Sequence, residues 1–224
     1  MSIETERPTR AVQDYLKAIH SLGGAAEDVL PNAIASRLKV RAPSVTGMLK
    51  RLAEAGWIRY EPGCPVRLTV QGIAEARRVI RRHRLVELFL TRVLGLDWSE
   101  VDAAAEALEH ANSPRLEQAL AAYLGEPRED PHGHPIPTRE GALAHRELQP
   151  LASFQPGQRV VIREVKDDSP ERLRRWQTLG LTPGATVLIL SHQPLDDLYE
   201  LQVGARVIPL GHEGLAGLRG ELAS

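Results

Sequence analysis

The sequence predicts a mainly α-helical chain that closes on a small all-β domain. Three observations carry this. Apolar residues recur at helical spacing over most of the first 124 positions, six prolines interrupt residues 126 to 156, and from Gln158 onward the apolar spacing falls to two.

PTRAVQDYLKAIHSL (8 to 22) places Val12, Leu16, Ile19 and Leu22 on one helical face, with Pro8 in the first turn and Gly23 and Gly24 as a stop. PNAIASRLKV (31 to 40) is a short helix opened by Pro31. APSVTGMLKRLAEAGWI (42 to 58) is a longer one, with Val45, Met48, Leu49 and Leu52 inward and Gly56 at its end. WIRYEPGCPVRLTV then reads as two short strands around Pro62, Gly63 and Pro65, so the first third predicts a winged helix-turn-helix. From Val70 to about Leu94 runs one long helix. Ser99 is expected to cap a helix reaching Asn112, and Ser113-Pro114 opens another that Gly125 ends. The proline-rich residues 126 to 156 predict an extended linker. Beyond it QRVVIREV, ATVLILSH, LYELQVG and ARVIPLG predict a barrel of five or so strands, interrupted by one helical piece, SPERLRRWQTLG.

Composition narrows the function. The single cysteine, Cys64, excludes an internal disulfide framework and an all-thiolate metal site. No apolar run is long enough to span a bilayer, and the first residues, MSIETERPTR, lack the apolar core of a signal peptide, so a cytoplasmic protein with no membrane partner is expected. The formal charge of −1 is unevenly spread: residues 1 to 84 hold 15 Lys/Arg and 8 Asp/Glu, residues 97 to 150 hold 4 and 11. A polyanion suits the first stretch and a cation the second.

The predicted recognition helix carries Arg41, Pro43, Ser44, Thr46 and Gly47 in its first turns, with Arg37, Lys39, Lys50, Arg51 and, on the wing, Arg67 around them. Such residues reach phosphates and base edges of double-stranded DNA in the major groove. Pro43 and Gly47 offer no hydrogen-bonding side chain, so the sequence read is left open.

In the helical middle His83 and Glu87 are spaced i, i+4, as are Asp102 and Glu106, and Glu106 and His110; Glu106 and Glu109 are spaced i, i+3. Carboxylates crowded on one helix face repel. One divalent cation or two would offset this, and oxygen donors with some imidazole suit Mn(II) or Fe(II). Asp14, on the first helix, is a further candidate donor. His132 and His134 in PHGHPIPT lie in the predicted linker, where a solvated or capping role is expected. A metal-dependent hydrolase would gather similar groups, but no HExxH helix and no separate nucleophile or base is evident, so no enzyme is expected. A winged-helix regulator of an organic ligand would not need these donors in register.

The order of winged helix-turn-helix, HRLVE, EALEH, HGHPIP and barrel resembles the diphtheria toxin repressor family of metal-dependent transcriptional regulators, over nearly the whole chain. The resemblance implies a homodimeric repressor of metal-uptake genes, with a DNA-binding domain at 1–72, a helical metal-binding and dimerisation domain with its linker at 73–150, and an SH3-like, FeoA-type domain at 151–224. It implies a primary metal site of Asp14, Glu106, Glu109 and His110, and an ancillary site of His83, Glu87 and Asp102. Iron-type members carry Met and Cys where this chain has Asp14 and Glu106; the hard carboxylates favour Mn2+, with Fe2+ the alternative. The manganese branch has a glutamate ligand where Lys17 stands, and iron-type members a histidine at Asp102. Where some members add ligands from the barrel, this chain has Ser169 and Arg172, which serve poorly; Glu171 or Asp168 are nearby carboxylates. The barrel is alternatively expected to bind the proline-rich segment within the chain, lowering DNA affinity without metal.

Overall fold

The computed structural model describes residues 8–111, 113–166 and 169–223, which form two compact units. Of the described residues, those up to Arg82 together with Pro137–Leu143 form the first unit, and those from His83 to Ile136 and from Ala144 onward form the second.

In the first unit α1 (Arg10–Ser21), α2 (Pro31–Leu38) and α3 (Ala42–Glu54) are followed by the two-stranded wing, β1 (Ile58–Arg59) and β2 (Arg67–Leu68). Thr9 caps α1 by accepting from Val12 N–H, and Pro31 and Pro43 pre-set the first turns of the next two helices. Leu16, Ile19, Ile34, Val45, Leu49 and Leu52 interdigitate with Ile58, Val66 and Leu68, so the apolar face of every element meets one core. The wing pairs antiparallel, Ile58 opposite Leu68, and Val66 bridges to Val29. The long helix α4 (Val70–Arg92) gives its first half to this unit. There the buried Glu75 accepts from Gln13 Nε2 at 3.0 Å. Arg81 and Arg77 donate to the carbonyls of Pro137 and Gly141, which is how the short return segment is held.

The second unit contains the rest of α4, then α5 (Val101–Leu108), α6 (Pro114–Tyr123) and the β domain. The helix expected to begin at Ser99 and reach Asn112 is shorter at both ends. Asp97 Oδ1 accepts from both Ser99 N–H and Ser99 Oγ, which spends the serine before the helix, and the described helix ends at Leu108. Asn112 lies outside the described residues.

Among the described residues the β domain has six strands: β3 (Gln149–Pro150), β4 (Arg159–Val165), β5 (Thr186–Gln193), β6 (Leu198–Val203), β7 (Arg206–Gly211) and β8 (Leu218–Leu222). They form an antiparallel sheet of order β3-β8-β4-β5-β6-β7, with α7 (Pro170–Leu179) between β4 and β5 and α8 (His212–Leu215) before β8. Alternate residues from five strands join Leu173 and Trp176 of α7 in one core, and register shifts in β4 and β5 bend the sheet around it.

The expected linker is in large part folded. Residues 126–136 belong to the second unit, Glu129 bridging to Pro135, and Gln149–Pro150 add a strand beside β8. Pro131 and Pro156 sit in turns and Pro150 in the edge strand β3, where a missing N–H costs little.

Candidate metal centre and nucleic-acid interface

In α4 His83 and Glu87 stand one turn apart and both are buried. His83 Nε2 lies 3.5 Å from Glu87 Oε1 and 3.4 Å from Asp102 Oδ1, on α5. Its other nitrogen, Nδ1, is 2.6 Å from Glu109 Oε2 and 3.8 Å from Glu106 Oε2. Glu109 is the residue at which the chain leaves α5: its N–H still donates to Ala105 O, while its side chain is wholly buried. Its second oxygen, Oε1, lies 3.3 Å from His110 Nε2. Glu109 keeps helical backbone angles, and at this end of α5 the two consecutive side chains, Glu109 and His110, meet.

Burial disfavours a charged His83, but hydrogen bonds that Asp102, Glu109 and Glu87 accept from it outweigh this and hold the imidazole well above the usual histidine value. The carboxylates thus favour the protonated form of the imidazole they surround. The same donors fit a divalent cation: His83, Glu87 and Asp102 each offer an atom within 4.8 Å of the others. Separations of 3.4 to 3.5 Å are those of neighbouring ligands each about 2.1 Å from one ion. With Nδ1–H directed at Glu109, Nε2 is the nitrogen left for a metal, and the carboxylate behind the imidazole is the usual support of a ligating histidine.

Another such group is Asp130, His132 and His134. His132 is buried rather than solvated. Its ring stacks on Trp98 at 5.2 Å, Nε2 meets Trp98 O at 2.9 Å, and Nδ1 is 3.7 Å from Glu87 Oε1. His134, half-buried, contacts Asp130 Oδ2 through Nδ1 at 3.1 Å, and Asp130 Oδ1 accepts the backbone N–H of both His132 and His134. Burial opposes the charge of Asp130, but His134, Arg84 and His132 hold its carboxyl down to about 2. Gly133 makes the turn with φ of +84°, and a Cβ there would lie 1.9 Å from Arg163 O of β4. The sequence signal for this group was the HGH spacing. Its placement in a presumed linker concealed it.

The barrel positions supply little. Ser169 caps α7, while Arg172 donates to Glu213 O and Ala216 O and stacks on Trp176. Glu171 is exposed in the first turn of α7, and Asp168 lies outside the described residues.

In the first unit Asp14 is half-buried on α1, with Arg10 Nε 4.0 Å from its Oδ2, and Lys17 follows one turn on. The outward face of α3 presents Arg41, Pro43, Ser44, Gly47, Lys50 and Arg51, opposite the buried Val45, Leu49 and Leu52. Arg37 and Lys39 are exposed at the end of α2, Lys39 capping that helix in the left-handed region. Thr46 is half-buried and its hydroxyl donates back to Ala42 O at 3.4 Å. Arg67 of the wing is paired with Asp28 at 3.0 Å, so part of its charge is already offset.

A winged helix-turn-helix followed by a helical body that gathers carboxylates and imidazoles defines a class: DNA-binding regulators that respond to a metal. Comparison with known proteins narrows it. Residues 8–64 match the model of the iron-dependent repressor N-terminal DNA-binding domain, residues 69–138 that of the iron-dependent repressor metal-binding and dimerisation domain, and residues 149–216 that of the FeoA domain. The iron-dependent repressor IdeR of Mycobacterium leprae is 30% identical over 211 residues, covering 89% of this chain and 91% of the relative. The diphtheria toxin repressor of Corynebacterium jeikeium is 28% identical, covering 88% and 92%. A solved manganese-dependent transcriptional repressor in complex with manganese superposes with a TM-score of 0.87 at 30% identity, over 95% of this chain and all of that one. The chain belongs to the diphtheria toxin repressor family of metal-dependent transcriptional repressors. Among the described residues, no helix is long and apolar enough to cross a membrane.

Proposed function

We propose that the chain is a manganese-responsive, cytoplasmic, homodimeric repressor of metal-uptake genes. The observation that carries the choice of metal is the donor set, which contains no sulfur. Glu109, His110, Glu106, His83, Glu87 and Asp102 offer oxygen and imidazole only, while Cys64 is exposed in the wing of the other unit. We assign Asp14 to the ligand set of Glu106, Glu109 and His110, and His83, Glu87 and Asp102 to a second set. The cation would neutralise carboxylates that otherwise repel. Asp14 rides on the helix that packs on α2 and α3, so its engagement biases the DNA-binding unit. A roughly 100-fold preference of metal for the DNA-competent arrangement is worth about 2.7 kcal/mol per site. The name of the iron-dependent repressor IdeR of Mycobacterium leprae favours a second reading, an iron-responsive repressor with the same ligands.

The test is a DNA-binding titration on the protein's own upstream region at fixed salt, with chelator, Mn(II), Fe(II) and Zn(II) in turn. Binding gained with Mn(II) and lost with chelator is expected. Equal binding in chelator would overturn metal gating, and a response to Fe(II) alone would select the iron reading. The Asp14→Ala variant is expected to lose metal-dependent binding while unfolding at the same temperature; a retained response would remove Asp14 from the ligand set.

A further inference from the structure

Within the second unit a cleft of about 410 Å3 lies between the last turns of α4, the Trp98 segment, the turn at residues 129–131 and the turn before β5. No residue of either proposed metal ligand set lines it. Its apolar walls are Leu88, Trp98, Pro131 and Pro183. A cleft of this size holds a small organic molecule and is larger than an inorganic ion needs. The hydrogen-bonding groups around it are unevenly committed. The acceptors are taken: Glu129 is paired with Arg146, Asp130 accepts from the backbone of His132 and His134, and Gln177 Oε1 accepts from Trp98 Nε1 at 3.0 Å. The donors are not. Among the described residues the Arg92 guanidinium, the Gln177 amide nitrogen and the Thr182 hydroxyl make no hydrogen bond or ion pair, whereas Arg163 directs its Nε–H to Glu221 Oε1 at 2.8 Å. The charge of Arg92, exposed in the last turn of α4, is therefore not offset by a protein partner.

Donors and one cation set against an indole and three aliphatic side chains suit a ligand that accepts hydrogen bonds, carries negative charge and has an apolar body. We propose that this cleft binds a small organic carboxylate. Its oxygens accept from Arg92, with the free donors of Gln177 and Thr182 beside them, and its hydrocarbon lies against Trp98, Leu88 and Pro183. A guanidinium meets both oxygens of one carboxylate through parallel N–H bonds, a match that a neutral amide does not offer. The chain thus has a place for an organic ligand as well as donors for a metal. The two use different residues, so the cleft does not depend on which cation the donors hold.

The test is a calorimetric titration of the full-length protein, loaded with Mn(II) and at fixed salt. The probes are benzoate and hexanoate, with benzamide, the neutral analogue of benzoate, and inorganic phosphate for comparison. One or both carboxylates are expected to bind with a Kd below about 1 mM, and benzamide and phosphate roughly tenfold more weakly. Arg92→Gln changes an exposed side chain and is expected to unfold at the same temperature as the wild type. It should weaken carboxylate binding by about tenfold to 100-fold, the scale of a hydrogen bond to a charged group. Thr182→Phe fills the cleft and leaves Arg92 in place. It is expected to abolish carboxylate binding with the Mn(II) stoichiometry unchanged, which separates the cleft from an open position on a bound metal. The inference is overturned if neither carboxylate binds with a Kd below about 5 mM, or if benzamide or phosphate binds as tightly as the carboxylates. It is equally overturned if either variant binds the carboxylate as the wild type does.

Discussion

His83 and Glu109 meet at 2.6 Å, imidazole Nδ1 to carboxylate Oε2, in the interior of the second unit. The other oxygen of the same carboxylate faces His110 at 3.3 Å, and the other nitrogen of the same ring faces Glu87 and Asp102. One buried side chain is thereby shared by the two proposed ligand sets, as donor to one and as support to the other. Occupancy of one set changes the charge that the other sees.

Glu109→Gln keeps the shape and removes the charge. Both sets are expected to lose Mn(II) affinity, by about tenfold to 100-fold for the loss of a supporting carboxylate and more where the oxygen itself binds. Calorimetric titration reads both sites. Loss at one site alone would show that the carboxylate is not shared.

The proton on His83 competes with metal. Its affinity for that proton is raised, by Asp102, Glu109 and Glu87 against the cost of burial, so a metal at Nε2 must displace it. Mn(II) affinity is expected to rise with pH from 6 to 8, by up to about tenfold per unit, with proton release on binding. The metal-free protein has the opposite slope. A raised folded-state value gives stability fully present below the ordinary histidine value of 6.5 and lost as pH climbs through the raised value. Thermal unfolding with and without Mn(II) across that range should show the two slopes. Flat curves for both would remove His83 from the linkage.

Asp130 works in the other sense. Its carboxyl is held down to about 2 from 3.8, so its contribution is present above the ordinary carboxylate value and is lost as pH falls through the depressed one. Asp130→Asn is expected to cost about 2 kcal/mol at neutral pH, a deficit that disappears between about pH 4 and 2. Denaturant unfolding at pH 7 and pH 2.5 measures both ends.

Gly133→Ala should be among the most damaging single changes in the second unit. Its Cβ would strike Arg163 O at 1.9 Å in a conformation L residues rarely adopt, so a loss above about 2 kcal/mol is expected. Because Val165 N–H donates to His132 O across the same seam, the His132 ring should loosen from Trp98, which tryptophan fluorescence would report.

Much of this molecule was legible in its sequence because periodicity and punctuation coincide. Pro31, Pro43 and Pro114 open three helices in their first turns, and strand alternation such as that of Val160 and Ile162 survives in the folded sheet. His83 and Glu87 were visible as an i, i+4 pair. Local pattern could not show that Asp97 would claim Ser99, that α5 would end at Leu108, or that a proline-rich stretch would be folded rather than extended. The last of these depends on contacts far apart in the chain, Gly133 against β4 and Pro150 beside β8. His132 was misjudged for the same reason: its partners Trp98 and Glu87 are distant in sequence.

The return of Pro137–Leu143 to the first unit makes that unit discontinuous in sequence. A fragment cut after residue 82 would keep α1 to α3, the wing and the first half of α4, yet leave the guanidinium groups of Arg77 and Arg81 without the carbonyls of Gly141 and Pro137. The DNA-binding unit is therefore not a cassette that can be excised at one point and grafted elsewhere. Its last piece is contributed only after the chain has passed through the metal-binding helices, so the two are inherited together.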